Sequence, residues 1–309
     1  MKREIVAIAG PTAVGKTKFS IAIAKEFCGE IVSCDSMQLY KYMNIGSAKP
    51  TAQEQAEVKH YLVDEIDPAI PFSAAEYQKR AKEAIEHIFS ENKLPVIAGG
   101  TGLYLNSLLY EMDFGGAPQN TELRGTLEKE AELFGPQYLY QKLQEVDPQS
   151  AARIHPNNVK KVIRALESAE SGTPIRDFRN CTEKCKDYHA ILMGLTRNRD
   201  ELYDRINRRV DILVSEGLFR EVEELLDRGL TEEDISMKGI GYKEIIGFFD
   251  GLYSREEAIE LIKKNTRHLA KRQMTWFRRY QDMTWFNLSS YASEKEAQED
   301  MIQWLRKKL

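Results

Sequence analysis

The sequence predicts an α/β protein: a P-loop parallel sheet core with flanking helices and an all-helical insertion. Short apolar segments alternate with longer segments of helical periodicity, as in βαβ units. A glycine-rich motif joins the first predicted strand to the first predicted helix. No convincing buried strand is found between about 114 and 188. We therefore expect a core domain of residues 1–114 and 188–309, and a helical insertion domain of residues 115–187.

The predicted elements follow from apolar spacing along the chain. Apolar segments predict strands at 4–9, 30–33, 94–98, 189–196 and 284–288. Helical periodicity predicts core helices at 16–27, 73–92, 198–216, 218–229, 241–249 and 254–281, with one more at the C-terminus. The insertion is predicted to hold helices at 120–134, 136–146 and 156–171. Ser73 and Glu76 predict a capping box at the start of the helix at 73–92.

The composition excludes several classes of protein. The chain has 309 residues, of which 42% are hydrophobic and 30% charged, so disorder, collagen and coiled coil are excluded. A net charge of −4 excludes a globally basic nucleic-acid binder but permits a locally basic one. No apolar run approaches the roughly 20 residues of a membrane span. Four cysteines do not suggest a disulfide framework, so we expect a cytoplasmic protein with no membrane partner.

A metal site at Cys181, Cys185 and His189 is also weighed. A structural zinc site normally has four ligands, and this cluster offers three. We therefore expect reduced thiols here.

The motif from Gly10 to Thr17 fits the pattern G-x-x-x-x-G-K-[ST] of a P-loop. Its backbone N–H groups and the helix N-terminus attract an anion, Lys16 brings a full charge, and Thr17 can bind Mg²⁺. The pattern is typical of nucleotide- and ATP-binding proteins, although any diphosphate ester fits it. The predicted phosphate-binding residues are Gly10, Thr12, Ala13, Val14, Gly15, Lys16 and Thr17.

Two polar residues follow the next predicted strands, where the crevice of a doubly wound sheet lies. Asp35 is a candidate general base or Mg²⁺ partner, or else a turn or N-cap aspartate. Thr101 could hydrogen-bond a phosphate or a reacting group, or could be an N-cap. The glycines of the Gly99–Gly102 turn indicate a close approach of the backbone to some other group.

Residues 263–281 contain seven lysines and arginines and no acidic residue, with Trp276, Phe277 and Tyr280 among them. Charge combined with stacking surface favours nucleic-acid contact, although a solvated helix with its aromatic side chains in the core is compatible with the same pattern. Arg205 and Arg209 share a helix face and could clamp a diphosphate, or could form surface ion pairs.

Together these motifs resemble the bacterial tRNA dimethylallyltransferases, also called tRNA isopentenyltransferases. The resemblance spans most of the chain and includes GPTAVGKT (10–17), DSMQLY (35–40), IGSAKP (45–50), GGTGLY (99–104), HPNNVKKVIRALE (155–167), RINRRVD (205–211), KGIGYKE (238–244) and KRQMTWFRR (271–279). It implies transfer of a dimethylallyl group to the exocyclic nitrogen of the adenine just 3′ of the anticodon. The implied partners are dimethylallyl diphosphate, Mg²⁺ and the tRNA anticodon stem-loop, and we expect a monomer.

The resemblance also implies residue roles. Asp35 would be the base, Thr101 would lie near the diphosphate bridging oxygen or the amine, and Lys16 would neutralise the leaving group with Arg205 or Arg209. The implied tRNA-binding residues are Asp35, Ser36, Met37, Gln38, Thr101, Arg124, Lys160, Lys161, Arg164, Lys238, Lys243, Lys271, Arg272, Trp276 and Arg278. A P-loop kinase and a non-catalytic RNA-binding protein that senses nucleotide remain the alternatives.

Overall fold

The computed structural model describes residues 3–112, 114, 120–172 and 183–309. The chain divides into a core unit, Met1–Tyr110 with Lys184–Leu309, and an insertion unit, Glu111–Glu183. The predicted start of the insertion at residue 115 and the predicted thiol Cys181 lie outside the described residues.

The core unit contains a six-stranded parallel sheet in the order β3-β2-β4-β1-β5-β6, which confirms the predicted fold class. The strands are β1 (Glu4–Ala9), β2 (Gly29–Cys34), β3 (His60–Tyr61), β4 (Leu94–Gly99), β5 (His189–Thr196) and β6 (Thr284–Asn287). The five predicted strands are present with ends within one residue of the prediction. The two-residue β3 was missed because so short an edge strand has no periodicity.

Every predicted helix is present. The helices are α1 (Lys16–Glu26), α2 (Ala52–Glu57), α3 (Ala74–Ser90), α4 (Gly102–Leu109), α5 (Thr121–Phe134), α6 (Pro136–Val146), α7 (Pro148–Ala151), α8 (Val159–Glu170), α9 (Arg199–Ser215), α10 (Leu218–Asp227), α11 (Tyr242–Phe249), α12 (Arg255–Phe277) and α13 (Glu294–Arg306). The predicted capping box of α3 is confirmed, with both the Ser73 and the Glu76 hydrogen bonds present. The short α2, α4 and α7 were not predicted.

The two faces of the sheet carry separate apolar cores. Along β1, Ile5 and Ala7 belong to one core and Val6 and Ile8 to the other, as the alternation of side chains in a strand requires. Helices α3, α4, α10, α11 and α12 contribute buried residues to the first core, and α1 and α13 to the second. Burial on both faces explains why the strands are almost continuously apolar.

The insertion unit has an apolar core of its own, with Leu139, Leu143 and Val162 completely buried. Glu167 on α8 is 2% exposed. It accepts hydrogen bonds from Arg124 on α5 (2.8 Å) and from Arg164 (2.5 Å). Burial disfavours its charged form, but the two arginines outweigh burial and lower the pKa of Glu167. This charge cluster ties α5 to α8.

The core unit brings the two ends of the insertion together. Tyr110 and Lys184 form an isolated antiparallel bridge, and the Cys185 N–H donates to the Leu109 carbonyl at 2.9 Å. The chain therefore leaves and re-enters the core unit at adjacent points. Among the described helices, none combines the length and the apolar character needed to cross a bilayer.

Candidate active site

A cavity of about 840 Å³ lies in the core unit at the carboxyl ends of the strands. Because β2, β4 and β1 are neighbouring parallel strands, the loops that follow them meet at one edge of the sheet. The cavity is lined by Lys16, Asp35, Gly99, Arg209 and Gln273, among others. Residues from the P-loop, two sheet loops, α9 and α12 thus face one space.

The P-loop adopts the conformation that its glycines predict. Gly15, the N-cap of α1, has φ 114°, a left-handed conformation that favours glycine. The Lys16 Nζ donates to the carbonyls of Gly10 (3.0 Å) and Pro11 (2.9 Å). Removal of this ammonium from water lowers the pKa of Lys16 to about 8, and the charge of Arg209 adds to the shift while Asp35 opposes it. The charged form is therefore costly until an anion neutralises it.

Not every residue of the predicted phosphate loop faces the cavity. Its lining includes Thr12, Ala13, Gly15, Lys16 and Thr17. Val14 is completely buried instead, and its carbonyl accepts a hydrogen bond from the Arg197 Nε at 3.1 Å. Arg197 is 9% exposed and is itself paired with Glu201 and Glu294. Arg197 therefore supports the P-loop on the side away from the cavity. Nothing in the sequence indicated this role, because Arg197 belongs to no recognisable motif.

Asp35 and Thr101 lie on adjacent loops. The Asp35 carboxylate accepts the Met37 N–H at 2.9 Å, which is an aspartate turn, and its side chain also faces the cavity. Thr101 is the N-cap of α4 but makes no side-chain capping bond. Its hydroxyl accepts the Ser36 N–H at 3.0 Å, and its own N–H donates to the Cys34 carbonyl at 3.0 Å. Thr101 therefore holds the Asp35 loop against the glycine turn.

The group that approaches the glycine turn is α12. A Cβ on Gly100 would lie 2.4 Å from the Gln273 Nε2, and one on Gly102 would lie 2.3 Å from the Trp276 ring. Gln273 accepts the Thr12 N–H at 2.8 Å and donates to the Gly100 carbonyl at 3.0 Å. Gln273 thus bridges the P-loop and the glycine turn. Sequence reasoning missed it, because an uncharged residue in a basic helix carries no signal of its own.

The two candidate arginines on α9 have different surroundings. The Arg205 Nε donates to the Ala13 carbonyl at 3.1 Å, and its guanidinium lies 3.9 Å from Glu294. Arg209 lines the cavity, and no hydrogen bond or ion pair is found for it among the described residues. Burial lowers the pKa of Arg209, and the charge of Asp35 opposes the shift. Of the two, Arg209 presents its charge to the cavity.

The predicted base-contacting residues Ser36, Met37 and Gln38 follow Asp35 directly. Met37 and Gln38 line the cavity. The Gln38 amide donates to the Ala48 carbonyl at 3.1 Å and accepts from the Ser33 hydroxyl at 3.2 Å, so its orientation is fixed.

The other residues implied to bind tRNA are not part of this cavity. In the core unit, Lys271, Arg272 and Arg278 of the basic helix end are exposed. Trp276 is half-buried against Gly102, so this aromatic side chain packs inward. Lys238 is paired with Glu233, and Lys243 lies 3.7 Å from Glu244.

In the insertion unit, Lys160 and Lys161 are exposed. Arg124 and Arg164 are engaged with Glu167 and serve the structure of that unit.

The cavity offers few protein ligands for a metal. Within the described residues, no three histidine, cysteine, aspartate or glutamate side chains form a group that could hold a metal ion. Asp35 and the Thr17 hydroxyl do line the same cavity. Mg²⁺ usually binds one or two such oxygens together with phosphate oxygens and water, so this donor set fits a magnesium ion carried largely by a bound diphosphate.

Comparison with known proteins identifies the family. A family model described as IPP transferase matches residues 38–280. The chain belongs to the IPP transferase family. A tRNA dimethylallyltransferase of Alkaliphilus metalliredigens is 54% identical over 294 residues, covering 95% of this chain and 94% of the relative.

Solved structures of two transferases are similar to this chain over almost its whole length. The full-length tRNA isopentenylpyrophosphate transferase of Bacillus halodurans is 42% identical, with a TM-score of 0.74, and the match covers 100% of this chain and 97% of that one. A eukaryotic dimethylallyltransferase, described as acting on tRNA, is 25% identical with a TM-score of 0.82, over 97% of this chain and 78% of that one. The comparisons do not favour a kinase.

Replacing the bridging glutamine should weaken anion binding. Gln273→Ala removes the two hydrogen bonds that join the P-loop, through Thr12, to the glycine turn, through Gly100. We therefore expect the Kd for inorganic diphosphate to rise about 5- to 10-fold, the effect of one to two hydrogen bonds. Isothermal titration calorimetry measures this, with the exposed α13 substitution Gln303→Ala as the control. An unchanged or tighter Kd would mean that Gln273 does not brace the loop.

Diphosphate binding should weaken at alkaline pH. Lys16 in the free protein loses its proton as the pH rises through about 8. We expect affinity to be steady on that account below pH 8 and to fall up to about tenfold per pH unit above it. Lys16→Arg stays charged to higher pH and reports the titration of diphosphate itself. Parallel pH profiles for the two proteins would contradict a titrating Lys16.

Proposed function

We propose that this protein transfers the dimethylallyl group of dimethylallyl diphosphate to N6 of the adenine 3′-adjacent to the tRNA anticodon, with release of diphosphate. One observation carries the proposal: Lys16, Arg209 and Asp35 face one cavity, in a chain of the IPP transferase family. Anion-binding groups and a carboxylate base are what such a transfer requires. The bacterial relatives named tRNA dimethylallyltransferase support the same substrate.

The first requirement is stabilisation of the leaving group. The C1–O bond of the allylic diphosphate breaks, its electron pair moves to the diphosphate oxygen, and positive charge spreads over the allyl system. The P-loop N–H groups and the Lys16 ammonium face the developing negative charge. We assign the arginine clamp to Arg209, because Arg205 is held by the Ala13 carbonyl and Glu294 while Arg209 faces the cavity.

The diphosphate is expected to bring Mg²⁺ with it. The Thr17 hydroxyl, with Asp35 nearby in the cavity, is the protein group that would hold the ion. When bound, it would neutralise charge on the diphosphate oxygens.

The second requirement is a base for the nucleophile. The lone pair of the adenine N6 forms the new C–N bond, and the nitrogen then loses a proton. Asp35 would accept that proton, because its carboxylate faces the same cavity as Lys16. The Thr101 hydroxyl, which accepts the Ser36 N–H, would keep the Asp35 loop in place.

The tRNA must present an unstacked adenine, because a base that stays stacked in its loop cannot enter the cavity. Met37 and Gln38 line the cavity, and we propose that they contact bases. The exposed Lys271, Arg272 and Arg278 would bind phosphates of the anticodon stem-loop. The exposed Lys160 and Lys161 of the insertion unit are proposed for the same role. A monomeric state and a cytoplasmic location stay predictions of the sequence.

A direct assay tests the function. The purified protein, Mg²⁺, unmodified tRNA and radiolabelled dimethylallyl diphosphate are incubated without ATP, and we expect label in the RNA. Asp35→Asn should lower the rate by a factor on the order of 10² to 10⁴, the contribution of a general base, while tRNA still binds to a filter. ATP hydrolysis without labelled RNA would contradict the proposal and support a kinase. Loss of tRNA binding by Asp35→Asn would make Asp35 a structural residue.

Two matched substitutions on α9 test the arginine assignment. Arg209→Gln should lower kcat/KM for dimethylallyl diphosphate by about 100-fold, since a donor aimed at the leaving group contributes that much. Arg205→Gln should have a smaller effect, because it removes a contact to a loop carbonyl. Steady-state kinetics of both variants decide between them, and a greater loss for Arg205→Gln would reverse the assignment.

A further inference from the structure

Glu221 on α10 is a buried carboxylate that the proposed chemistry does not use. It is 7% exposed. Its oxygens accept the N–H groups of Asn44 (2.7 Å), Ile45 (2.6 Å) and Gly46 (2.9 Å), and the Tyr242 hydroxyl at 2.8 Å. No lysine or arginine forms an ion pair with Glu221 among the described residues. The carboxylate is therefore bound directly by three oriented backbone N–H groups and one hydroxyl, which makes the contact specific to the conformation of this segment.

The backbone segment Asn44–Gly46, which donates to Glu221, lines the active-site cavity. The Ala48 N–H donates to the Ile45 carbonyl at 2.9 Å, so Ala48 is fixed relative to that segment. The Ala48 carbonyl in turn accepts the Gln38 amide at 3.1 Å. An unbroken series of hydrogen bonds thus runs from Glu221 to Gln38.

Packing supports the same connection independently. A Cβ on Gly46 would lie 2.5 Å from the Tyr242 ring, and a Cβ on Gly239 would lie 2.5 Å from the Met37 methyl group. The segment 239–242 therefore contacts both Gly46, whose N–H donates to Glu221, and Met37, which precedes Gln38. These close contacts prevent the backbone around Gly46 from moving toward α11.

Gln38 keeps hydrogen-bonding capacity toward the cavity. A glutamine amide has two N–H donors and two acceptor lone pairs. One donor is used by Ala48 and one lone pair by the Ser33 hydroxyl. One of each is left over from these two bonds, in a fixed orientation, which is what reading the edge of a base requires.

We propose that Glu221 is a positioning residue for base recognition: it acts through the backbone of Asn44–Ala48 to fix the orientation of the Gln38 amide. The inference rests on the proposed function, because it assumes that Gln38 contacts a base of the tRNA. Glu221 itself touches no substrate in this arrangement. Its loss should therefore affect tRNA selection and leave the diphosphate site intact.

A double-mutant cycle tests this coupling. The variants are Glu221→Gln, Gln38→Ala and the double variant, with kcat and KM measured separately for tRNA and for dimethylallyl diphosphate. We expect Gln38→Ala to lower kcat/KM for tRNA at least about tenfold in the native background but less than about threefold beside Glu221→Gln, as coupled residues do. KM for dimethylallyl diphosphate should change by less than about twofold, because the P-loop is not involved. The exposed Glu223→Gln on the same helix is the matched control and should leave all constants unchanged.

A milder variant keeps the proposal testable if Glu221→Gln fails to fold. Tyr242→Phe keeps the carboxylate and removes one of its four donors, and it should lower kcat/KM for tRNA in the same direction as Glu221→Gln. If Glu221→Gln shows no cooperative thermal transition, the same cycle is run with Tyr242→Phe and judged by the same criterion.

The outcomes separate the two proposals. Equal losses from Gln38→Ala in both backgrounds, with an active native protein, would overturn the role of Glu221 alone. A raised KM for dimethylallyl diphosphate in Glu221→Gln would also overturn it, since the diphosphate site would then depend on Glu221. A native protein that places no label in tRNA would refute the proposed function and this inference with it.

Discussion

Parallel pairing of β2 with β4, and of β4 with β1, brings three loops with different chemistry to one edge of the sheet. Cys34 and Gly99 are register partners at the ends of their strands, and a Cβ on Gly99 would lie 2.0 Å from the Cys34 carbonyl oxygen. The loops that follow Cys34 and Gly99 therefore begin in direct contact with each other. The Thr101 hydrogen bonds to Cys34 and Ser36 continue that contact. Every distance between Asp35 and the P-loop depends on this pairing.

Lys16 and Arg209 bring two positive charges close together in the cavity, in a protein whose net charge is −4. Burial lowers the pKa of Lys16, and the nearby charge of Arg209 lowers it further. Glu201 and Glu294 hold Arg197 behind the loop. The supporting arginine is thus neutralised by partners, while the charges that face the cavity are left for an anion. A bound diphosphate would offset the repulsion between the two positive charges.

Much of the architecture could be predicted because it is local in sequence. Apolar periodicity located five strands, and the P-loop motif located the phosphate site. Contacts between distant segments could not be predicted. Gln273 reaches Gly100 across 173 residues, and the glycine turn showed only that something approaches it closely. Arg205 and Arg209 share a helix face, so their spacing in the sequence could not show which of them faces the cavity. The contacts of Arg205 with Ala13 and Glu294 distinguish the two. Glu221 resembles any acidic residue on an amphipathic helix.

The antiparallel bridge between Tyr110 and Lys184 has a consequence for how the chain can vary. Because the two ends of the insertion are already fixed side by side, the core unit has the same closure points whatever lies between them. The entropy of closing a loop grows only with the logarithm of its length. Segments of different length or sequence can therefore be exchanged at this junction with little cost to the sheet, which leaves the insertion free to diversify while the cavity stays the same.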